Sequence, residues 1–492
     1  MSTSLTPKND QFTEKKFFGQ PWGLANLFGI ELWERFSYYG MQALLAFYLY
    51  HSVNEGGLGV SKESALSLVG AYGGFIYMCS LVASLVADRI LGAERTLFYS
   101  SITVMCGHIA LAFIPGRVGL AIGLLAIGLG SGGVKTASSV VLGSLYDKHD
   151  TRRDAGFSIY YMAVNIGGLL GPLITGWLWG WKGFHWGFGA AAVGMALGLT
   201  QYVMMRKTTI GAAGSEIPNP LPRNQYLKWG VTFVVVAVLV AVGLVTGLIP
   251  MGQLSNIVAV VAGIAVIGLL IQMTTSEYTA PDERSRMIGY IPLLICAIAF
   301  FAIFQSQFTV LALYSDERAN RAIGGWTMSA AQVQSFNPLF ILLLAPVFSA
   351  LWTKLGERQP ATPIKFGIAN IVIGVALFVF LPFTNSGEHG TPLIVLVLIL
   401  LLFTIGELML SPVGNSLATK VAPEAFKSRT MAMWLMSVAV GNALSGTLGT
   451  MYKPEPAAEQ TFFTTTGIGA IVIGIIVIAL NRWITKKFID VR

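Results

Sequence analysis

The chain has 492 residues, of which 54% are hydrophobic and only 11% are charged, and its formal net charge is +8. Soluble domains carry about 25% charged residues, so this composition excludes a soluble globular protein. Apolar runs long enough to cross a hydrocarbon core of about 30 Å recur along the whole chain, without the strict alternation of barrel strands. We therefore predict an all-α polytopic membrane protein.

Fourteen spans are predicted in chain order, at residues 22–50, 65–87, 97–115, 118–145, 156–180, 185–205, 229–248, 254–274, 288–314, 329–353, 364–382, 392–417, 428–451 and 461–481. The polar, proline-containing stretch 206–228 is typical of a linker. Six spans precede it, and the two that follow it are nearly free of polar residues, as expected of lipid-facing accessory helices. The predicted organisation is 6 + 2 + 6 transmembrane helices: an N-terminal bundle at 1–206, a linker with two accessory helices at 207–280, and a C-terminal bundle at 281–492.

The first span carries three charges within an apolar stretch. Ionisable residues at bilayer depth are costly, and they usually mark a functional pathway. At about 100° per residue, one helical stripe about 100° wide contains Glu31, Glu34, Arg35, Tyr38 and Gln42. We expect this face to be turned towards water, a ligand or partner charges rather than towards lipid.

Most basic residues fall on one side of the predicted membrane. Arg35 and Lys135 lie within spans, and of the 32 Lys and Arg only six fall in loops on the other side: Lys62, Arg117, Lys182, Arg318, Arg321 and Lys453. The positive-inside rule then places both termini in the cytoplasm. A multi-pass protein of the cell membrane accounts for this basic balance, so no nucleic-acid partner is predicted.

Few other polar groups lie deep in a span. Lys135 follows a glycine-rich run that permits close helix packing. Its ammonium group needs a carboxylate from the protein or from a substrate, unless it snorkels to the interface. Glu407 would attract an ammonium group or take a proton. Asn165 and Asn337 lie at similar depth, where an amide is either an interhelical hydrogen-bond partner or a ligand contact.

Other kinds of functional site find no support in the sequence. Cys79, Cys106 and Cys296 lie in apolar segments and imply no disulfide framework. The sequence has no clustered metal-ligand spacing, no phosphate-binding loop and no nucleophile motif. We expect no cofactor, no metal site and no enzymatic activity.

A charged turn joins the second and third spans. Asp88 and Arg95 begin and end an Asp-Arg-x-x-Gly-x-x-Arg motif, and Leu355-Gly-Glu-Arg358 occupies the corresponding place in the second half. Such charges can lock helix ends together at the cytoplasmic face. We interpret Asp88 and Arg95 as conformational latch residues, with solvated loop charges as the alternative.

The intramembrane charges also suggest a ligand. A cavity with Arg35 and Lys135 on one wall and Glu407 on the other suits a zwitterion whose charges are separated, such as a peptide with a free amine and a free carboxylate. Acids beside bases can also exchange partners when one takes a proton, which couples the proton to a conformational state.

These residues match a known family. The run Glu31-x-x-Glu34-Arg35-Phe36-x-Tyr38-Tyr39-Gly40 resembles the signature of the proton-dependent oligopeptide transporters, a branch of the major facilitator superfamily. Further motifs agree in order: Phe18-Gly-Gln-Pro21, Ala87-Asp88-Arg89-x-x-Gly92, Arg153-Asp154-Ala155-Gly156-Phe157-Ser158, Asn165-x-Gly167, Gln334-Ser-x-Asn337-Pro338-Leu339, Gly406-Glu407-x-x-x-Ser411-Pro412 and Met433-Trp434. The resemblance implies the major facilitator fold and a proton-coupled symporter that imports di- and tripeptides by alternating access.

The resemblance also implies roles for single residues. The proton-coupling set would be Glu31, Glu34, Arg35 and Lys135, with Lys135 pairing to the acids. The peptide carboxylate would face Arg35 and Lys135, and the peptide amine would face Glu407, Asn165 and Asn337. The side-chain pockets would be lined by Tyr38, Tyr77 and Trp434.

Two positions depart from the family pattern. The family commonly has an arginine where this chain has Gln42, and a glutamate where it has Gln305. In typical members these charges pair across the extracellular gate, and here both are lost together. Proton coupling would then rest on the first helix, Lys135 and Glu407. The alternatives are weakly coupled facilitated transport, transport of another anion or a drug-like solute, and a sensor or scaffold without flux; we expect a monomer.

Overall fold

The computed structural model describes residues 16–147, 150, 152–217, 220–246 and 248–489, and these are helical almost throughout. The helices are α1 (Trp22–Tyr50), α2 (Lys62–Val86), α3 (Ala93–Phe113), α4 (Gly116–Ser144), α5 (Arg153–Lys182), α6 (Phe184–Thr209), α7 (Arg223–Val245), α8 (Leu254–Thr275), α9 (Pro281–Phe304), α10 (Val310–Glu317), α11 (Phe336–Leu355), α12 (Thr362–Phe378), α13 (Leu393–Lys420), α14 (Lys427–Met451), α15 (Pro456–Ala479) and α16 (Asn481–Phe488).

The strands are two residues long and lie in connecting segments. They form three pairs: β1 (Lys16–Phe17) with β2 (Gln20–Pro21), β3 (Ala319–Asn320) with β6 (Thr391–Pro392), and β4 (Ala322–Ile323) with β5 (Trp326–Thr327). Only the β3–β6 pair is parallel. These pairs fasten loops and do not change the all-α class.

The long helices correspond to the predicted spans. In the described part of the chain, 12 helical segments are long and apolar enough to cross a membrane, with α9 and α10 counted as one segment. Two further helices have the length of a membrane span: α1, which carries three charges, and α7. Together with the 12 segments they make fourteen. The prediction of an all-α polytopic membrane protein with fourteen spans is confirmed.

Two helical bundles meet across the centre of the molecule. In the first, α1 packs against α5 and α6, and α3 packs against α4; in the second, α12 packs against α13 and α15. α2 and α14 join the bundles along a close contact. A Cβ atom on Gly70 of α2 would lie 2.3 Å from the backbone nitrogen of Gly446 of α14. Small residues are required where membrane helices approach so closely.

The bundles are fastened together on one side of the membrane. We call the face at which α1 begins the terminal face, and the face at which α1 ends the distal face. Gln332 Nε2 donates to the carbonyl oxygen of Leu173 at 3.1 Å, and Asn442 Nδ2 donates to that of Gly73 at 3.4 Å. Both contacts lie between the middle of the membrane and the distal face. The fastened side is therefore the distal one.

The predicted span 288–314 lies within one membrane-crossing segment, Pro281–Glu317, but the helix in it is interrupted. α9 ends at Phe304, residues 305–308 form a 3₁₀ turn, and α10 begins only at Val310. Between them, the Thr309 hydroxyl donates to the carbonyl oxygen of Ser445 at 3.2 Å. Irregular backbone is tolerated at membrane depth where it is buried in protein or lines a cavity.

A buried ion pair fastens the end of α10 to α15. Arg318 Nη2 lies 3.0 Å from Glu459 Oε2 and also donates to the carbonyl oxygen of Thr384 at 2.6 Å. The Tyr452 hydroxyl donates to Glu459 Oε1 at 2.6 Å. Glu459 is completely buried. Loss of one partner leaves the other charge buried and unpaired, which costs about 3–5 kcal/mol.

We expect Glu459→Gln to lower the free energy of unfolding by about 3 kcal/mol, because the guanidinium of Arg318 then remains buried without its carboxylate. Thermal unfolding of the purified protein in detergent, followed by tryptophan fluorescence, measures the change. Glu455→Gln removes an exposed acid just before the same helix and should leave the midpoint unchanged. Equal midpoints for the two variants would contradict the structural role of the pair.

Candidate functional site

A cavity of about 410 Å³ lies between the two bundles near the middle of the membrane. One wall is formed by α1, α4 and α5, and the other by residues 305–308, α11 and α13. Seven of the residues predicted for the site line it: Glu31, Arg35, Lys135, Asn165, Gln305, Asn337 and Glu407. The fold thus brings acids, bases and amides from both halves of the chain to one space.

Arg35 is held between two carboxylates of its own helix. Its Nε lies 2.9 Å from Glu31 Oε1 and 2.9 Å from Glu34 Oε2. All three residues are buried. The Nη2 atom of Arg35 has no hydrogen-bond partner among the described residues. Because a guanidinium has five donors, Arg35 retains donors for an anion while it stays paired with the acids.

The two carboxylates are also bound by hydroxyl groups of neighbouring helices. The Tyr160 hydroxyl of α5 donates to Glu31 Oε2 at 2.5 Å, and the Ser138 hydroxyl of α4 donates to the same oxygen at 3.2 Å. The Ser131 hydroxyl donates to Glu34 Oε1 at 2.6 Å. The charge cluster of α1 is therefore part of one polar network with α4 and α5.

Lys135 has a different partner from the one expected. The ion pairs of the described residues include Arg35 with Glu31 and Glu34, but none with Lys135. Its ammonium nitrogen lies 3.7 Å from the centroid of the Tyr77 ring, which is a cation–π contact. The predicted pairing with the α1 acids is thus not formed in this structure. Lys135 faces the cavity with its charge balanced by an aromatic face rather than by a carboxylate.

The opposite wall presents the carboxylate of Glu407 beside the amide of Asn337. Asn337 Nδ2 donates to Thr404 Oγ1 at 2.9 Å and to Glu407 Oε2 at 3.3 Å. Asn165, across the cavity on α5, donates to the carbonyl oxygen of Tyr161 at 2.9 Å. Within the described ranges, Glu407 forms no ion pair with a basic side chain. This wall can therefore accept a cation.

Two of the predicted aromatic residues lie behind the cavity surface. The Tyr38 ring lies beside Arg35, 5.8 Å from the guanidinium carbon. Trp434 is almost fully buried and donates from Nε1 to Asn415 Oδ1 at 2.8 Å. Asn415 lines the cavity, so Trp434 reaches this space through the amide of Asn415.

The gate and latch residues lie in three separate places. Gln42 is buried, and its Oε1 lacks a hydrogen-bond partner in the described part of the chain; Gln305 lines the cavity. Asp88 and Arg95 are both exposed and are not joined in the ion pairs of the described residues. Instead, Glu94 pairs with Arg206 at 2.7 Å near the same turn. The latch between Asp88 and Arg95 is thus not formed in this structure, and it stays a prediction for another conformation of the protein.

Several lining residues were missed by the sequence interpretation: Tyr39, Ser139, Tyr160, Tyr161, Gln307, Phe308, Gln334 and Asn415. Helical spacing could have found Asn415, because eight residues at about 100° each place it about 80° from Glu407, within one broad stripe of the helix. The tyrosines could not have been singled out, because membrane helices use tyrosine equally in cores and as interfacial anchors. Asn415 is exposed and lies near the end of α13, so the cavity extends towards the terminal face.

A charged network closes the distal side. Asp316 Oδ2 accepts hydrogen bonds from Tyr50 Oη at 2.7 Å and from His51 Nε2 at 3.0 Å. Arg321 Nη2 lies 3.5 Å from the other oxygen of Asp316. One position further on, Glu317 forms an ion pair with Lys62 of α2. The end of α10 is therefore bound to the ends of α1 and α2, across the boundary between the bundles.

Two six-helix bundles around a charged cavity define a membrane transporter of the major facilitator type. The sequence model of the POT family (PTR2) matches residues 94–464, and the chain belongs to this family.

Related proteins match this chain in sequence over almost its whole length. The chain is 42% identical over 474 residues to the uncharacterized transporter YclF of Bacillus subtilis (strain 168), with 96% of each chain covered. It is 39% identical over 493 residues to the di-/tripeptide transporter of Lactococcus lactis subsp. lactis (strain IL1403), covering 98% of this chain and 99% of that one. The crystal structure of the peptide transporter POT in complex with sulfate gives a TM-score of 0.92 at 41% identity, covering 97% and 98% of the two chains. Because family and relatives are transporters, the expectation that the chain is not an enzyme is confirmed.

We expect Asp316→Asn to weaken distal closure, because the amide loses the charge that attracts Arg321 and His51. Loss of one charge-assisted bond should favour distal opening about tenfold. The measurement uses Gln307→Cys, a buried cavity position, in a background whose three native cysteines are replaced. The rate of its reaction with an impermeant maleimide, added from the distal side, reports the opening.

Glu55→Gln is the control for this experiment. Glu55 Oε2 lies 3.6 Å from His51 Nδ1, so this contact stays within the first bundle. Its loss should leave the labelling rate unchanged. An unchanged rate in Asp316→Asn as well would show that the network does not hold the distal side closed.

Proposed function

We propose that the protein is a proton-coupled symporter that imports di- and tripeptides by alternating access. The observation that carries this proposal is the separation of charge across one cavity. Arg35 and Lys135 lie on one wall, and Glu407 with Asn337 lies on the other. A short peptide with both termini free carries the complementary charges at its two ends.

The cationic wall would bind the peptide carboxylate. Arg35 retains an unpartnered Nη2, and Lys135 is balanced only by the Tyr77 ring among the described contacts. Binding of a carboxylate there adds charge-assisted hydrogen bonds, which are about twice as strong as neutral ones. The unpaired donors of this wall support the proposal.

The acidic wall would bind the peptide amine. Glu407 would accept from the ammonium, Asn337 would hold the carboxylate in place, and Asn165 would add an acceptor from the first bundle. Tyr38 and Tyr77 would border the side-chain pockets beside Arg35 and Lys135. Trp434 would act on the opposite side by holding the amide of Asn415.

Proton coupling would use the two acids that share one guanidinium. When either Glu31 or Glu34 takes a proton, Arg35 loses one of its two partners. Arg35 is then free to turn towards the peptide carboxylate, while the other acid keeps its hydroxyl partners. Lys135 can take over the remaining acid, which would make its pairing depend on the transport state. Since Gln42 and Gln305 carry no charge, this cluster and Glu407 would be the proton sites.

The terminal face would lie in the cytoplasm of a cell-membrane protein, because most Lys and Arg fall on that side. The structure, fastened at its distal face, then corresponds to the inward-facing state. A latch of Asp88 and Arg95 would form at the cytoplasmic face when the protein opens outwards, and Gln42 and Gln305 would border the outer gate. We propose a monomer, because each chain contains both walls of the cavity.

We expect Glu407→Gln to reduce uptake of a labelled dipeptide at least about tenfold, because the peptide ammonium loses its charged acceptor. Uptake by purified protein in liposomes measures the loss, and an unchanged unfolding midpoint shows that the variant is folded. The control Glu277→Gln alters an exposed acid in the turn between α8 and α9 and should transport normally. Near-normal uptake by Glu407→Gln would refute the amine-binding role.

Acidification of the outside should drive dialanine accumulation in liposomes. One proton per peptide allows up to about tenfold accumulation per pH unit. Glu31→Gln or Glu34→Gln should abolish this response while leaving counterflow down a peptide gradient. Counterflow without any response to pH would indicate facilitated transport, and saturable binding without counterflow would indicate a sensor.

A further inference from the structure

Three glutamines line the distal end of the cavity: Gln305, Gln307 and Gln334. Gln334 is only 5% exposed, yet neither its Oε1 nor its Nε2 has a hydrogen-bond partner among the described residues. An unsatisfied buried amide is costly, and native structures rarely leave one without a reason. A side chain that lines a binding cavity and has both polar atoms free is suited to a ligand.

Burial alone does not explain the free amide. Gln332 lies in the same 3₁₀ turn, Ala331–Ser335, and is also 5% exposed. Its Nε2 donates to the carbonyl oxygen of Leu173 at 3.1 Å, and its Oε1 accepts from the Ser329 backbone at 2.9 Å. The turn therefore satisfies one glutamine with protein partners and directs the other to the cavity without them.

The position of Gln334 fixes which part of a peptide it can meet. It precedes Asn337 by three residues, which amounts to about 5–6 Å along the helix axis towards the distal face. Asn337 and Glu407 are the groups proposed to bind the peptide amine. A group one turn beyond them is within reach of the first residue's side chain.

The residues around Gln334 also determine which kind of peptide side chain can bind there. Gln305 and Gln307 bring amides to this end of the cavity, and Phe304 and Phe308 bring aromatic rings. None of these side chains is charged. A charged peptide side chain would lose its hydration there without gaining a counter-charge, whereas an amide or hydroxyl can both donate to Gln334 and accept from it.

We propose that Gln334 determines specificity in a subsite for a neutral, hydrogen-bonding side chain on the first residue of the peptide. The proposal rests on the proposed peptide transport. It adds a preference for asparagine, glutamine, serine or threonine over apolar side chains of the same shape at that residue.

The test compares two nearly isosteric dipeptides, Asn-Ala and Leu-Ala, in uptake by protein reconstituted in liposomes. The wild type should favour Asn-Ala in competition. Gln334→Leu should lower the ratio of Asn-Ala to Leu-Ala uptake about tenfold, because an amide side chain then enters without a partner. Gln334→Met repeats the test with a flexible side chain, in case the branched leucine disturbs folding.

Gln332→Leu is the matched control. It should lower the unfolding midpoint, because the carbonyl oxygen of Leu173 loses its donor, but it should not change the uptake ratio. An unchanged ratio in folded Gln334 variants would overturn the subsite and leave peptide transport standing; it would mean that only water binds this amide. Wild-type protein that takes up neither peptide would overturn the proposed function and the subsite together.

Discussion

A guanidinium inside a membrane needs charged or polar acceptors around it, and the arrangement around Arg35 follows from that requirement. Glu31 and Glu34 both approach its Nε, so three charged groups share one set of contacts. The low dielectric of the site makes each contact strong, and it makes a missing partner expensive. A protonation event or an incoming anion must therefore be answered by rearrangement of the others. In the proposed mechanism, the cluster would convert a local change of charge into a change of contacts.

The proposed rearrangement would take place within a rigid frame. Glycines bring backbones together where α5 meets α1, since a Cβ on Gly167 would lie 2.3 Å from the carbonyl oxygen of Leu32. Such contacts resist deformation because no side chain can give way. The polar network that links Glu31 with Tyr160 and Ser138 lies beside this contact. Movement is thus directed to the boundary between the bundles, where the contacts are polar and exchangeable.

Much of this organisation could be predicted from the sequence. Hydropathy alone located the long helices. Of the polar stripe predicted on α1, Glu31 and Arg35 line the cavity, whereas Glu34, Tyr38 and Gln42 do not. Spacing could not show that Lys135 lies over the Tyr77 ring, because the choice between an aromatic face and a carboxylate depends on how α2 and α4 pack.

The break in the helix before Val310 was also missed. An apolar run that contains four polar residues, Gln305, Ser306, Gln307 and Thr309, still has the hydropathy of an intact span. Tertiary contacts, such as that between Thr309 and Ser445, favour the break. The contacts of Asp316 join segments more than 260 residues apart in sequence, as its bond to Tyr50 shows.

At the end of α10, consecutive residues contact different bundles. Asp316 and Glu317 bind the first bundle, whereas Arg318 is buried against Glu459 within the second. Part of any force that separates the bundles therefore passes along this short segment to α15. In a genetic screen, loss of transport through a change at 316 would look the same as loss of expression through a change at 318. Phenotypes in this segment can be assigned only when protein abundance is measured alongside flux, and neighbouring alleles should not be pooled.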